Sequence, residues 1–124
     1  MADNDALRNM LEQLHTTTQS TGRQLKVVRG TIQSLEKETK LVSLTQRELA
    51  TIPLSDEGTR YYKGVGKMFM QEPRKAIDQN LATRSKEAES ETAALRKRQA
   101  YLDRELQQAQ RSLQEIYNAQ SNDQ

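Results

Sequence analysis

A seven-residue repeat in the first part of the chain constrains its fold more than any other feature. The steps between seam positions alternate between four and three residues. This first seam comprises Leu7, Leu11, Leu14, Thr18, Thr21, Leu25, Val28, Ile32, Leu35, Thr39 and Val42, and eight of these eleven positions are apolar. Because only 34% of the chain is hydrophobic, the seam is enriched about twofold in apolar residues. Such a repeat is typical of a coiled-coil helix, whereas a strand would alternate every two residues.

The last part of the chain carries the same repeat. This second seam comprises Leu81, Ser85, Ala88, Thr92, Leu95, Gln99, Leu102, Leu106, Ala109, Leu113 and Ile116, and again eight of eleven positions are apolar. Pro73 stands just before this helix, where a missing backbone N–H costs nothing. Glu72 beside it suits the positive end of the helix dipole. We therefore predict two helices, at about residues 5–51 and 73–120.

Two helices of nearly equal length, joined by a short middle segment, predict one antiparallel two-helix coiled coil in a single domain over residues 1–124. One register pairs Leu7 with Leu113, Leu14 with Leu106, Leu25 with Leu95 and Ile32 with Ala88. It also sets Thr21 opposite Gln99, so that these two buried polar side chains could hydrogen-bond to each other. A shift by one heptad fits almost as well, and the sequence alone does not choose between the two registers.

One stretch of the first helix is composed of poor helix formers. It runs from His15 to Gly22, and Gly30 follows it. A glycine in a helix interior costs about 1 kcal/mol relative to alanine. The seam is also polar there, at Thr18 and Thr21. We predict a first helix that is continuous but locally weak over residues 16–22.

The middle segment predicts a small β-hairpin. Residues 52–58 contain Pro53 and Gly58 and indicate a helix end followed by a turn. Two short aromatic or Met-rich runs then flank a glycine-containing turn, which predicts a hairpin at about residues 59–71. An isolated two-stranded hairpin is marginal in water, and its open edges pair readily with other chains. The fold class is thus mainly α, a two-helix coiled coil whose hairpin joins a sheet made with other subunits.

Composition and charge exclude several classes of protein. The 124 residues include 19 basic and 17 acidic side chains, which are interspersed, so no basic patch for nucleic acid is indicated. No cysteine is present, which excludes disulfides and thiolate metal sites. The polar, acidic residues 1–5 do not resemble a signal peptide, and no apolar run is long enough for a bilayer. We expect a cytoplasmic protein, with the nucleus as a further location.

No residue pattern indicates an enzyme. Gly64-Val65-Gly66 lacks the third glycine and the Lys-Ser/Thr pair of a phosphate loop, so these are turn glycines with positive φ or close packing. His15 is the only histidine and is expected on the helix surface. A paired acid–base site needs a pocket with two environments, which a two-helix coil does not provide. We predict no catalytic residue, no metal and no cofactor.

The paired ends of the two helices form a candidate site. Tyr117, Ile116 and Leu113 near the end of the second helix are expected opposite Leu7, Met10 and Leu11 of the first. One interpretation is a seam end that frays. The other is an apolar tip that holds hydrophobic segments of another protein, because Met and aromatic side chains suit varied contacts.

The middle segment also carries a family resemblance. Tyr62-Lys63-Gly64-Val65-Gly66-Lys67-Met68-Phe69 resembles the Tyr-x-x-Val-Gly-x-x-Phe signature of β-type prefoldin subunits, and the similarity continues through Met70 to Leu81. The layout of helix, hairpin and helix is also that of this family. The resemblance implies that the hairpin joins an intersubunit β-barrel. Its barrel and assembly positions would be Tyr61, Tyr62, Val65, Gly66, Met68, Phe69 and Met70.

The resemblance further implies a function. The family forms heterohexamers of two α-type and four β-type subunits, which capture unfolded actin and tubulin without ATP and deliver them to the cytosolic chaperonin. The tip positions would be Leu7, Met10, Leu11, Leu113, Ile116 and Tyr117. Expected partners are other prefoldin subunits, the chaperonin, actin and tubulin, but neither nucleic acid nor membrane. The alternative is a structural coiled-coil scaffold subunit of another prefoldin-like assembly, which would bind folded partners only.

Overall fold

The protein is mostly helical, as predicted, with a two-stranded hairpin between two long helices. The computed structural model describes residues 2–122, so residues 1, 123 and 124 of the predicted domain lie outside it. The elements are α1 (Ala2–Ala50), β1 (Tyr61–Val65), β2 (Met68–Glu72) and α2 (Arg74–Asn122). Within these residues, neither helix has an apolar stretch able to cross a membrane.

The element boundaries differ slightly from those expected. α1 starts before residue 5, and its run is unbroken through the glycine- and threonine-rich stretch. Pro73 stands just before α2, as the sequence indicated, and its carbonyl oxygen accepts a hydrogen bond from the Ile77 N–H at 3.2 Å. Pro73 therefore occupies the cap position, where it needs no N–H of its own.

The chain forms two compact units. The first, called the coil unit, comprises Met1–Ile32 and Ala94–Gln124. The second, called the hairpin unit, comprises Gln33–Ala93 and includes both strands. All eleven positions of each predicted seam are buried or half-buried, which confirms the heptad assignment.

The core of the coil unit identifies the helix register. Leu25, Val28 and Ile32 form one buried cluster with Leu102, against which Leu95 and Leu106 pack. In the first register considered above, Leu102 would lie opposite Thr18, about 10 Å along α1 from Leu25. The structure therefore has the alternative register, shifted by one heptad, with Leu25 opposite Leu102.

Contacts on the flanks of the seam agree with this register. Arg29 Nη2 lies 3.1 Å from Asp103 Oδ1, whereas the first register would place Arg29 beside Arg96, one heptad earlier. In the hairpin unit, Arg84 Nη2 lies 3.0 Å from Glu38 Oε1, as the same shift requires. The predicted Thr21–Gln99 layer is consequently not formed. The shifted register sets Thr21 opposite Leu106, which packs against the neighbouring core cluster.

The hairpin unit has its own buried positions between the two helices. Val42 is 1% exposed, and Leu81 and Ala88 of α2 are also buried. After α1, the chain turns through residues 51–60. Asp56 organises this turn, because its carboxylate accepts hydrogen bonds from the Gly58 N–H at 3.2 Å and the Thr59 hydroxyl at 2.7 Å.

Candidate functional sites at the hairpin and the helix ends

The β-hairpin leaves most of its apolar side chains uncovered. Large side chains that are 46–77% exposed are Tyr62, Val65, Met68, Phe69 and Met70. All five belong to the predicted assembly positions. Burying a side chain of this size stabilises a protein by about 1.5–3 kcal/mol relative to leaving it in water. The hairpin thus exposes apolar side chains whose burial by another chain would be favourable.

Apolar side chains lie on both faces of the hairpin. The strands pair antiparallel, with Val65 opposite Met68 and Lys63 opposite Met70 on one face. Tyr62 and Phe69 project from the other face, since successive strand residues alternate. A soluble antiparallel sheet normally has one apolar and one solvated face. Two apolar faces indicate that the hairpin becomes covered on both sides.

The two glycines of the hairpin have different roles. Gly66 has a φ of 61° and begins the two-residue turn with Lys67, so the turn lies later than the Gly64-Val65-Gly66 segment suggested. Gly at this first turn position is what a type II′ hairpin requires. Gly64 lies within β1 opposite Phe69, and a Cβ added there would meet the Phe69 ring at 3.9 Å. The positive φ therefore accounts for glycine at position 66, whereas a Cβ at position 64 would make only an ordinary van der Waals contact.

The base of the hairpin is better covered than its tip. Tyr61, the first residue of β1, is half-buried, and its hydroxyl oxygen accepts a hydrogen bond from Arg74 Nη1 at 3.1 Å. Arg74 was not among the residues that the sequence singled out. Nothing in the heptad pattern marks it, because Arg74 precedes the second seam and looks like an ordinary first-turn residue. Only the folded chain brings it to Tyr61.

The predicted tip residues differ in exposure. Leu113 is buried at 9% exposure, and Leu7, Leu11 and Ile116 are half-buried in the seam. Met10 and Tyr117 are 53% and 48% exposed. These two are therefore the tip side chains that another protein could reach without opening the seam.

Tyr117 also contacts the single histidine. Its hydroxyl oxygen lies 3.3 Å from Nε2 of His15, within hydrogen-bond distance, and His15 is exposed as expected. Among residues 2–122, no three His, Asp or Glu side chains are grouped as metal ligands.

The geometry is that of a helical subunit built for association, and comparison with known proteins identifies its family. The family model described as "Prefoldin subunit" matches residues 6–120. This match spans both helices and the hairpin. The chain belongs to the prefoldin subunit family, whose members are co-chaperone subunits.

Individual relatives support the same conclusion. "Prefoldin subunit 1" of Homo sapiens is 30% identical over 113 residues, covering 91% of this chain and 90% of the relative. "Probable prefoldin subunit 1" of Dictyostelium discoideum is 31% identical, covering 92% and 93%. "Prefoldin subunit 1" of Arabidopsis thaliana is 28% identical, covering 94% and 88%. The family resemblance of the hairpin segment therefore extends along nearly the whole chain.

Proposed function

We propose that this chain is a subunit of a hexameric prefoldin co-chaperone and enters the hexamer through its β-hairpin. The observation that carries the proposal is the exposure of apolar side chains on both faces of the hairpin. A strand pair of this kind gains most by joining a sheet whose two sides are covered by neighbouring chains. The proposed partners are α- and β-type subunits, whose hairpins would complete a β-barrel.

We propose that the assembled complex binds its unfolded clients at the paired helix ends. Met10 and Tyr117 present a flexible thioether and an aromatic ring near the paired ends of α1 and α2. Such groups adapt to many apolar sequences. The proposed clients are unfolded actin- and tubulin-type chains, held without ATP in the cytoplasm and passed to the cytosolic chaperonin. The prefoldin subunit family is a chaperone family and not a known enzyme family.

Assembly is tested by co-expressing the chain with candidate α- and β-type subunits and measuring the native mass. We expect a complex of six chains. Phe69→Ser should prevent incorporation, because Phe69 is 77% exposed on one face of the hairpin. Val27→Ser is the matched control, since Val27 is similarly exposed, at 68%, but lies on α1. A homodimer, or equal incorporation of both variants, would contradict the proposed route of assembly.

Client capture is tested with the assembled complex and chemically unfolded actin, without ATP, by light scattering. Met10→Ser combined with Tyr117→Ser should weaken suppression of aggregation by about tenfold, because two accessible apolar groups are lost while the seam stays intact. Tyr101→Ser is the control, since Tyr101 is 53% exposed on α2 far from its end. Addition of purified cytosolic chaperonin should then release the actin from the complex.

The structural scaffold alternative makes the opposite prediction. A scaffold subunit would copurify with folded partners in fixed ratio and would leave actin aggregation unchanged. Full protection of actin by the Met10 and Tyr117 double variant would instead exclude these residues as the capture site.

A further inference from the structure

Arg74 contacts three separate segments of the hairpin unit. Its Nε donates to both carboxylate oxygens of Asp78, at 3.0 and 3.1 Å. Its Nη1 donates to the Tyr61 hydroxyl oxygen at 3.1 Å and to the Ile52 carbonyl oxygen at 3.4 Å. The guanidinium carbon also lies 5.4 Å from the centroid of the Tyr61 ring, within cation–π distance. The Arg74 side chain is only 15% exposed.

These three partners come from the three parts that meet at the base of the hairpin. Ile52 follows the end of α1, Tyr61 begins β1 and Asp78 lies in the first part of α2. The hydrogen bonds of Asp56 within residues 51–60 are local and reach neither helix nor strand. A single guanidinium group on α2 therefore links the hairpin to the segment that directly follows α1.

Local helix stability does not explain an arginine at this position. A positive side chain in the first turn opposes the helix dipole. An ion pair at i,i+4 is also weaker when the basic residue precedes the acidic one, as Arg74 precedes Asp78. The reach of Arg74 toward Tyr61 and Ile52 accounts for its placement. The Tyr61 hydroxyl and then the Asp78 carboxylate raise the pKa of Arg74.

We propose that Arg74 is a positioning residue that fixes the orientation of the β-hairpin on α1 and α2 and thereby makes the hairpin competent to join partner subunits. This inference rests on the proposed function, in which the hairpin is the surface of assembly. The planar guanidinium fork is required, because it serves Asp78 with Nε and Tyr61 and Ile52 with Nη1 at the same time. A lysine has one ammonium group and cannot span these partners.

The test compares Arg74→Lys with the parent chain in three measurements. Titration of the chain against its partner subunits, followed by native mass measurement, should show assembly weakened by about tenfold, since charge-assisted hydrogen bonds are lost. Amide exchange over residues 61–72 should become faster in the isolated full-length chain. The thermal midpoint of helix unfolding should stay nearly unchanged, which a purely structural role would not predict.

Two further variants sharpen the result. Tyr61→Phe keeps the ring and removes the hydroxyl acceptor, so we expect a smaller loss of assembly than in Arg74→Lys. Arg84→Lys is the matched control, because Arg84 also lies on α2 in the hairpin unit but makes an exposed ion pair with Glu38. Its assembly and its strand exchange should equal those of the parent.

The outcomes separate this inference from the proposed function. If the parent chain forms no complex, the proposed function is wrong, and the exchange over residues 61–72 alone decides whether Arg74 positions the hairpin. If the parent assembles and Arg74→Lys matches it in both assembly and exchange, the positioning role is wrong. A fall in helical stability that accounts for the whole loss of assembly would also overturn it.

Discussion

At the scale of single residues, three of the four threonines in the seams bond through their hydroxyl groups to their own helix. Thr18, Thr39 and Thr92 donate to the carbonyl oxygens four residues earlier, at 2.8, 2.9 and 2.7 Å. Within residues 2–122, no buried side-chain nitrogen or oxygen lacks a hydrogen-bond partner. A threonine that bonds within its own helix needs no polar partner on the facing helix, so a seam position can hold threonine opposite an apolar residue.

Replacing one seam threonine tests this view. Thr39→Val keeps the branched shape, places a methyl group in the half-buried seam and leaves the Leu35 carbonyl bonded within the helix. We expect the free energy of unfolding in urea to rise by about 0.5–1 kcal/mol. Thr31→Val is the control, because Thr31 makes the same bond, to Val27, on the exposed surface. A loss of stability in Thr39→Val would mean that its hydroxyl stabilises the seam.

At the scale of elements, α1 is continuous from Ala2 to Ala50, as predicted, while its weakness over residues 16–22 stays a prediction. Gly22 lies at the end of that stretch, and a Cβ added there would meet nothing within 4 Å. Neither packing nor a positive φ requires this glycine. It instead leaves the unfolded chain more freedom and the helix less stable.

Gly22→Ala should therefore stabilise the isolated chain. We expect a gain of about 0.5–1 kcal/mol in the free energy of unfolding and slower amide exchange over residues 16–22. Gly66→Ala should instead lose about 1 kcal/mol, because Gly66 adopts a φ of 61° that a side chain strains. Uniformly slow exchange along α1 of the parent chain would contradict the predicted weak stretch.

The helix register is a second property of the elements, and cross-linking measures it directly. The chain has no native cysteine, so two introduced cysteines react without background. Oxidation should join Leu25→Cys to Leu102→Cys by a disulfide, because these positions lie opposite each other in the seam. The pair Leu25→Cys with Leu95→Cys fits the other register, is displaced by one heptad or about 10 Å along the seam, and should form a disulfide poorly. The reverse result would restore the first register.

At the scale of the whole molecule, the two units differ in what they leave uncovered. The coil unit buries Leu25 and Leu102 to about 2% exposure, while the hairpin unit leaves five large strand side chains in water. Among residues 2–122, the ion pairs Arg29–Asp103, Arg74–Asp78 and Arg84–Glu38 have N–O distances of 3.0–3.1 Å and exposed carboxylates. Such pairs contribute about 0–1 kcal/mol each. Association through the hairpin is therefore expected to be the largest available source of added stability.

This expectation is tested by mass action. A partner that binds only the folded chain stabilises it by about 2.7 kcal/mol at one hundred times the dissociation constant. The thermal midpoint of the chain should thus rise with the concentration of added α- and β-type subunits. It is measured by circular dichroism of the mixture, from which the signal of the partner subunits alone is subtracted. The Phe69→Ser variant should show no such rise. A midpoint independent of partner concentration in the parent would count against hairpin-mediated assembly.

The sequence by itself determined the two seams and the presence of a hairpin. Every seam position from Leu7 to Val42 and from Leu81 to Ile116 is buried or half-buried, because heptad spacing is a local property that any partner helix must respect. The hairpin followed from the sequence pattern, since two aromatic or Met-rich runs around a glycine-containing turn favour two paired strands.

Only the tertiary structure decided the register and the contacts that Arg74 makes. A heptad repeat pairs almost equally well after a shift of seven residues, so its own pattern cannot select one register. The choice depends on contacts between distant side chains, such as Arg29 with Asp103. The same holds for Arg74, which reaches Tyr61 and Ile52 only when β1 and the segment after α1 are packed against α2.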